Sequence, residues 1–437
     1  MDVLSAVERA DMYASAALDE VLSRTLGLTR KQRALATELA YGVLRHRRRL
    51  DRAIASLSKR PLKSAHPTVL RAARLAAYQI LLMDHIAVPT AIDHAAEVAG
   101  AAAGPGAAGF VNAVTRRLAS RGEPALPSKN NDPFGFMTGV LSLEDWMAQA
   151  MIDRLGPEGA IALAQAINER PPLVLRVNRL MTTRQTVMDR LNELDGVLAN
   201  PTRWSPDGIV VTGMSDPRRQ PLYEAGQYEV QDEGSQLVAM AVDAQPGDLV
   251  ADICAGAGGK TLALSALSDD RAHILASDQH SGRLRDGMIR ATRSGNKLVT
   301  WARMDASRPA IEPASFDRVL LDAPCSGLGT LRRHPEAKWR WTAELVEEMA
   351  SIQRNLLTQA LTLVRPGGRL VYAVCTFTRQ EGPDQVDWLL ANHDDFSLLP
   401  PQNAPLASLA DPRGDLSLWP HRHGTDGFYM ARFVKNG

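Results

Sequence analysis

Apolar residues recur at helical spacing through the first 120 residues, as in Leu35, Leu39, Val43 and Leu50, then Leu70, Leu75, Ile80 and Leu81. Stripes of this period predict amphipathic helices, and no convincing strand interrupts them. Between 121 and 136 the chain gathers Gly122, Pro124, Pro127, Asn130, Asn131, Pro133 and Gly135, a density of breakers that predicts a linker closing an all-α domain over 1–130. A helical pattern near 142–168, a β-rich segment at 173–177, a helix over 183–194 and a short strand at 209–212 predict a small α/β unit spanning 137–240. Mostly apolar runs at 249–253, 274–277, 299–302, 319–321 and 370–374 then alternate with helical stretches. That rhythm predicts a doubly wound, mostly parallel sheet over 241–437. Ligands of such sheets sit beyond the carboxyl ends of the strands, so the residues closing each run are the candidates for chemistry.

Composition narrows the class without changing this picture. A chain of 437 residues exceeds what one core organises, and with 45% hydrophobic and 23% charged residues it has the material for several cores. Residues 1–130 carry 19 Lys and Arg against 11 Asp and Glu, so a net charge of +1 for the whole chain hides a basic front half that suits an anionic partner. The chain opens on Asp2, Glu8 and Asp11 without the basic cluster and apolar stretch of a secretory signal. The uncharged stretch 98–115 is mostly Ala and Gly, interrupted by Pro105 and Asn112, and too weakly hydrophobic for a membrane span. Cys254, Cys325 and Cys375 are too few for a disulfide framework in so long a chain. A monomer in the reducing cytoplasm, without metal or membrane, is expected.

The first apolar run of the sheet ends in Asp252-Ile253-Cys254-Ala255-Gly256-Ala257-Gly258-Gly259-Lys260-Thr261, a glycine-rich turn entering a helix. The ending Gly259-Lys260-Thr261 resembles a P-loop, but that motif needs glycine where Cys254 stands. A dinucleotide fingerprint has Gly256 and Gly258 in place and fails at Thr261. Asp278 ends the second run, where a carboxylate can accept both ribose hydroxyls of an adenosine, a need common to NAD and S-adenosylmethionine. Asp305 follows the third run, and a second acidic group suits a nucleoside with no pyrophosphate to repel it.

All three cysteines fall at or near strand ends, Cys325 after Asp322-Ala323-Pro324 and Cys375 after Leu370-Val371-Tyr372-Ala373-Val374. Buried cysteines usually serve as small hydrophobes, but two thiols facing one cleft suit covalent chemistry. Carbon 5 of cytosine is a poor nucleophile. A thiolate adding at carbon 6 turns the ring into an enamine that can take a methyl group, and Asp322 at ring nitrogen 3 would stabilise the charge developing there. Spacing leaves open which of Cys325 and Cys375 attacks and which assists release.

These residues together resemble the Sun family of RNA cytosine-5 methyltransferases. The resemblance includes the loop at 254–260, Asp278, Asp305, the block Asp322 to Gly327, Arg333 to Trp339, Gln231 to Ser235, Arg176-Val177-Asn178 and Asp426-Gly427-Phe428-Tyr429. The front domain resembles a NusB-like RNA-binding fold through Glu38 to Arg45 and Phe110 to Arg117. The resemblance implies an RRM-like middle unit and a Rossmann-like domain holding S-adenosylmethionine through Cys254, Ala255, Gly256, Ala257, Gly258, Gly259, Lys260, Asp278, Asp305 and Asp322. It also implies Cys375 as nucleophile, Cys325 as the group that aids release, and RNA, 16S rRNA above all, as substrate. Arg45, Arg47, Arg48 and Arg49 would then contact phosphates, which position a protein without reading sequence. Three positions depart from the family pattern: Val374 for threonine, Ala257 for proline and Gly382 for asparagine. A decayed enzyme serving as an RNA-binding assembly factor is the non-enzymatic rival, and a nitrogen methyltransferase, which needs no thiol, is the enzymatic one.

Overall fold

The computed structural model describes residues 1–9 and 12–437, so Asp11 of the acidic start lies outside the described residues. The chain forms two compact units, Met1–Glu169 with Leu331–Trp341, and Arg170–Thr330 with Thr342–Gly437.

The first unit contains α1 (Asp2–Arg9), α2 (Ala14–Arg24), α3 (Arg30–Leu57), α4 (Pro67–Leu82), α5 (Val88–Ala103), α6 (Pro105–Arg121), α7 (Pro133–Gly139) and α8 (Asp145–Ala166). The start of α3 is fixed by a capping box in which Thr29 and Gln32 satisfy each other's backbone donors. The uncharged stretch at 98–115 is the α5–α6 hairpin, broken at Gly104 and Pro105, and no described helix is long and apolar enough to cross a membrane. In the structure α8 packs within the first compact unit. Hydrogen bonds account for this: Arg48 donates to Leu143 O and Asp145, and Ser142 Oγ accepts the Arg48 N–H, so the entry of α8 is tied to α3.

Helix α3 kinks at His46, whose backbone leaves the helical region (φ −108°, ψ 16°). The carbonyls on this turn gain other donors: the Trp339 indole at Leu44 O (2.7 Å) and the Lys338 ammonium at Arg45 O (3.2 Å). Segment 331–341 also serves two helix ends. Glu336 accepts the Ala14 N–H at the start of α2 (2.8 Å), which lacks a side-chain cap of its own, and Arg340 donates to Val7 O in the last turn of α1 (3.2 Å). Lys338 is fully buried, and among the described residues it donates to two neutral oxygens, Arg45 O and Asn168 Oδ1 (2.6 Å).

The second unit opens with β1 (Leu173–Val177), α9 (Arg184–Asn192), β2 (Leu198–Pro201), β3 (Gly208–Thr212), the short α10 (Pro221–Glu224) and β4 (Tyr228–Val230). Its sheet is antiparallel in the order β2-β3-β1-β4, the ferredoxin-like arrangement that RRM folds share. After α11 (Glu233–Val242) come β5 (Leu249–Asp252), α12 (Gly259–Leu267), β6 (His273–Asp278), α13 (Ser281–Ser294), β7 (Val299–Arg303), β8 (Phe316–Asp322), α14 (Ala343–Leu363), β9 (Val364–Val374), α15 (Pro383–Asn392), β10 (Phe396–Leu398), β11 (Leu416–Leu418) and β12 (Phe428–Lys435). The sheet order is β10-β12-β9-β8-β5-β6-β7, parallel from β9 to β7 and antiparallel at β12 and β10, so the doubly wound fold has its switch point between β5 and β8.

Burial, with the Arg45 charge adding, lowers the Lys338 ammonium to about 7, far below its value in an unfolded chain. Between about 7 and 10 the unfolded chain therefore holds a proton that the folded one has released, and stability rises with pH across that window. In urea titrations the stability of wild type relative to Lys338→Met should increase as the pH is raised from 7 to 9. A difference independent of pH would mean that Lys338 keeps its charge.

Candidate active site

The glycine turn leaves β5 at the switch point and enters α12. Gly258 has φ +75°, and a Cβ there would run into the Trp301 indole, so both backbone and packing require glycine. Gly256 also has positive φ (+58°), and the space a Cβ would fill there is open, which lets the backbone meet a ligand closely. The loop is pinned from two sides. Asp278 Oδ2 accepts the Gly256 N–H (3.0 Å), and the Arg290 guanidinium donates to Ala257 O (2.7 Å) while also pairing with Glu229 on β4 (2.9 Å). Glu229 is almost fully buried and also pairs with Arg293. Ala257 thus has its carbonyl held by a charged donor. Asp278 is itself buried at the end of β6, and Asp305 lies exposed just past β7, where Ser307 holds its carboxyl below the usual range.

Asp252 at the end of β5 is completely buried: one oxygen accepts the Thr261 hydroxyl (2.7 Å) and the other has no partner. Desolvation raises it to about 7. Burial, with Asp252 nearby, pushes Cys254 far above the ordinary thiol range, which keeps this cysteine protonated. A glycine cradle with open space, a buried carboxylate at the second strand end and an unpaired buried oxygen fit a nucleoside cofactor carrying a cationic tail.

At the ends of β8 and β9 the structure brings the other predicted residues together. Cys325 Sγ and Cys375 Sγ are 3.3 Å apart, and the Cys375 N–H donates to Cys325 Sγ at the same distance. Both cysteines are partly exposed and unbridged. The hydrogen bond to Cys375, then burial, raises the Cys325 thiol well above its normal value. Lys260 Nζ is 2.6 Å from Asp322 Oδ2 and lies over the Phe428 ring. Burial would lower this ammonium, but Asp322 and then Cys375 more than offset it, so Lys260 remains a cation beside the thiols.

The chain beneath Cys375 leaves no slack. Gly329 donates to Cys375 O (2.9 Å) and accepts from Gly427 N (2.8 Å), and a Cβ on Gly329 would collide with Gly427 O. Val374 is wholly buried in the sheet core, where a methyl packs and a hydroxyl would need a partner. A Cβ on Gly382 would approach Tyr429 Cγ to 3.0 Å, so the glycine matches its local packing.

The four arginines of α3 do not join this constellation. Arg45 is buried and donates to Arg332 O (3.0 Å), Arg47 stacks over Trp339, Arg48 bonds Leu143 O and Asp145, and Arg49 pairs doubly with Glu123. Each guanidinium has a protein partner in the first unit. The sequence reading missed Arg290, Trp301, Gly329 and the buried Glu381, each of which has at least one partner far along the chain. No group of three or more His, Cys, Asp or Glu arranged to hold a metal occurs among the described residues.

Gly329→Ala should lower unfolding stability by about 1–3 kcal/mol through the forced shift at Gly427. A thermal midpoint equal to wild type would show that the loop has room.

The geometry agrees with sequence and structural comparisons. A model for the 16S rRNA methyltransferase family RsmB/F matches residues 239–434, a NusB family model matches 1–120, and the ferredoxin-like domain model of RsmF/B-type methyltransferases matches 143–216. A protein of Mycobacterium tuberculosis named as a methyltransferase is 36% identical over 98% of this chain and 94% of its own. The ribosomal RNA small subunit methyltransferase B of Pseudomonas putida is 33% identical over 99% and 96%. The solved structure of PH0851 superposes with a TM-score of 0.84 at 25% identity, covering 99% of this chain and 98% of that one. With a NusB domain, a ferredoxin-like domain and a doubly wound methyltransferase sheet, this chain belongs to the RsmB/F family of S-adenosylmethionine-dependent 16S rRNA methyltransferases.

Proposed function

We propose that the chain methylates carbon 5 of a cytosine in 16S rRNA through a covalent bond between Cys375 and carbon 6 of the base. The observation that carries this reading is the pair of thiols 3.3 Å apart at adjacent strand ends, beside the Lys260–Asp322 pair. A nitrogen methyltransferase has no use for such a pair.

Asp278, Asp305 and the turn from Cys254 to Lys260 would hold S-adenosylmethionine, with Asp278 at the ribose. When bound, this cofactor supplies the methyl group as an electrophile on a sulfonium. The chain's own residues prepare the base. Cys375 attacks as the thiolate with the Lys260 ammonium nearby, while Cys325 remains a thiol beside it. As Cys375 bonds to carbon 6, ring nitrogen 3 takes up electron density and a proton held at the Asp322–Lys260 pair.

Carbon–sulfur bond formation also removes the negative charge of Cys375. The two causes that held Cys325 protonated through its neighbour, the hydrogen bond and the charge, vanish with it. Cys325, which is partly exposed, can then give its thiol proton to water and accept the proton from carbon 5, while ring nitrogen 3 returns its proton to the Asp322–Lys260 pair. The electrons of that C–H bond restore the ring double bond and expel Cys375 as a thiolate.

In this reading Cys375→Ala abolishes both methylation and attachment to RNA. Cys325→Ala still attacks and methylates but stalls as a protein–RNA adduct, a slow band on a denaturing gel with labelled RNA. A slow band from Cys375→Ala and none from Cys325→Ala would reverse the assignment. Asp278→Ala should weaken S-adenosylmethionine binding by about 1.5–3 kcal/mol, as for a hydrogen bond to a charged group. Unchanged affinity by calorimetry would count against the assigned cleft.

A further inference from the structure

Six residues past Cys375 the chain buries a carboxylate that the chemistry above does not use. Glu381 has no solvent exposure, and no cation pairs with it among the described residues. Neutral donors solvate it instead. Oε1 accepts Ser326 N (2.7 Å) and Gln353 Nε2 (3.0 Å), and Oε2 accepts Ser326 Oγ (2.5 Å) and Thr378 Oγ1 (2.8 Å). A carboxylate offers about four acceptor sites, and all four are taken.

The donors come from the two segments that carry the thiols. Ser326 follows Cys325 directly, and Thr378 lies three residues past Cys375. Two cross-links reinforce the join. The hydroxyls of Ser326 and Thr376 are 2.9 Å apart, and with Ser326 donating to Glu381 the Thr376 hydroxyl donates to Ser326. Gln353 on α14 also donates to Pro324 O (2.9 Å), one residue before Cys325, and Tyr372 on β9 donates to Glu381 O (2.6 Å). The network thus flanks both cysteines without touching either sulfur.

Burying an anion without a counter-ion is unfavourable unless every lone pair is bonded, and a network satisfied to that degree specifies a single geometry. A carboxamide of the same shape is an imperfect replacement, because its NH2 group is met only if the Ser326 and Thr378 hydroxyls turn from donating to accepting, and the bonds that remain lose the carboxylate charge. We propose that Glu381 is the positioning residue that sets the separation of Cys325 and Cys375, and through it the rate of covalent attack and release. This rests on the cysteine-pair reading of the site. It adds a residue that meets neither substrate nor cofactor.

The test uses the full-length protein and a readout of thiol separation that requires no RNA. Diamide takes one hydrogen from each of two thiols and becomes a hydrazine as they join in a disulfide, so its rate with Cys325 and Cys375, located by peptide mass mapping, reports their proximity. Glu381→Gln should slow this cross-link at least tenfold. It should also lower kcat for methyl transfer to RNA at least tenfold, with the dissociation constant for S-adenosylmethionine within twofold of wild type. A merely structural loss would shift the unfolding midpoint and leave the cross-linking rate of the folded protein unchanged. A folded Glu381→Gln protein with wild-type cross-linking and wild-type kcat would overturn the proposal. If that variant does not fold, Thr378→Val, which removes a single donor, should slow both rates about threefold, and wild-type values there would overturn it equally. A wild-type enzyme that methylates RNA elsewhere than carbon 5 would defeat the proposed function and leave the cross-linking contrast standing.

Discussion

The parallel pairing of β8 with β9 aligns Leu321 with Tyr372 and Asp322 with Ala373. It brings the ends of two apolar strands level, so that the segments leaving them carry Cys325 and Cys375 to the same height above the sheet. A slip of one residue would move β9 by about 3.3 Å and turn its side chains to the opposite face. The register is protected by burial, since Val319, Leu320, Leu321, Val371, Tyr372 and Val374 pack on the two faces of the sheet with almost no exposure. Hydrophobic patterning and thiol chemistry are thus the same constraint seen at two ends of one strand pair.

Around that pair the charges are placed by burial. Lys260 reaches from the first turn of α12 to Asp322 at the end of β8, so the glycine turn and the end of that strand share one ion pair. Arg290 ties the same loop to Glu229 on the ferredoxin-like sheet. The unpartnered oxygen of Asp252 and the raised thiol of Cys254 sit below the loop, and only Cys325 and Cys375 meet each other. Of the three cysteines, Cys254 and Cys325 are set by their surroundings to remain protonated in the resting site.

Much of this was legible in the sequence because strands of a parallel sheet are buried on both faces and read as continuous apolar runs. The runs at 249–253, 274–277 and 299–302 became β5, β6 and β7, and Asp278 does end its strand. The antiparallel edge was harder to see, since β10 and β11 have three residues each and too little pattern to stand out. The arginines of α3 read from the sequence as phosphate contacts because nothing near them along the chain shows Glu123, Arg332 or Trp339 as partners. Glu381, between Gln380 and Gly382, has the local signature of an exposed loop, and only the fold shows that four donors surround it.

The central claim is that Cys375 forms the bond to the base. The most direct measurement uses RNA bearing 5-fluorocytidine, in which fluorine at carbon 5 cannot leave as a proton and the ring double bond cannot be restored after methyl transfer. Wild-type protein incubated with this RNA and S-adenosylmethionine, then digested with nuclease and protease, should yield a methylated nucleotide attached to the peptide that contains Cys375. Attachment at Cys325, or a methylated product with no covalent link to either cysteine, would contradict the account.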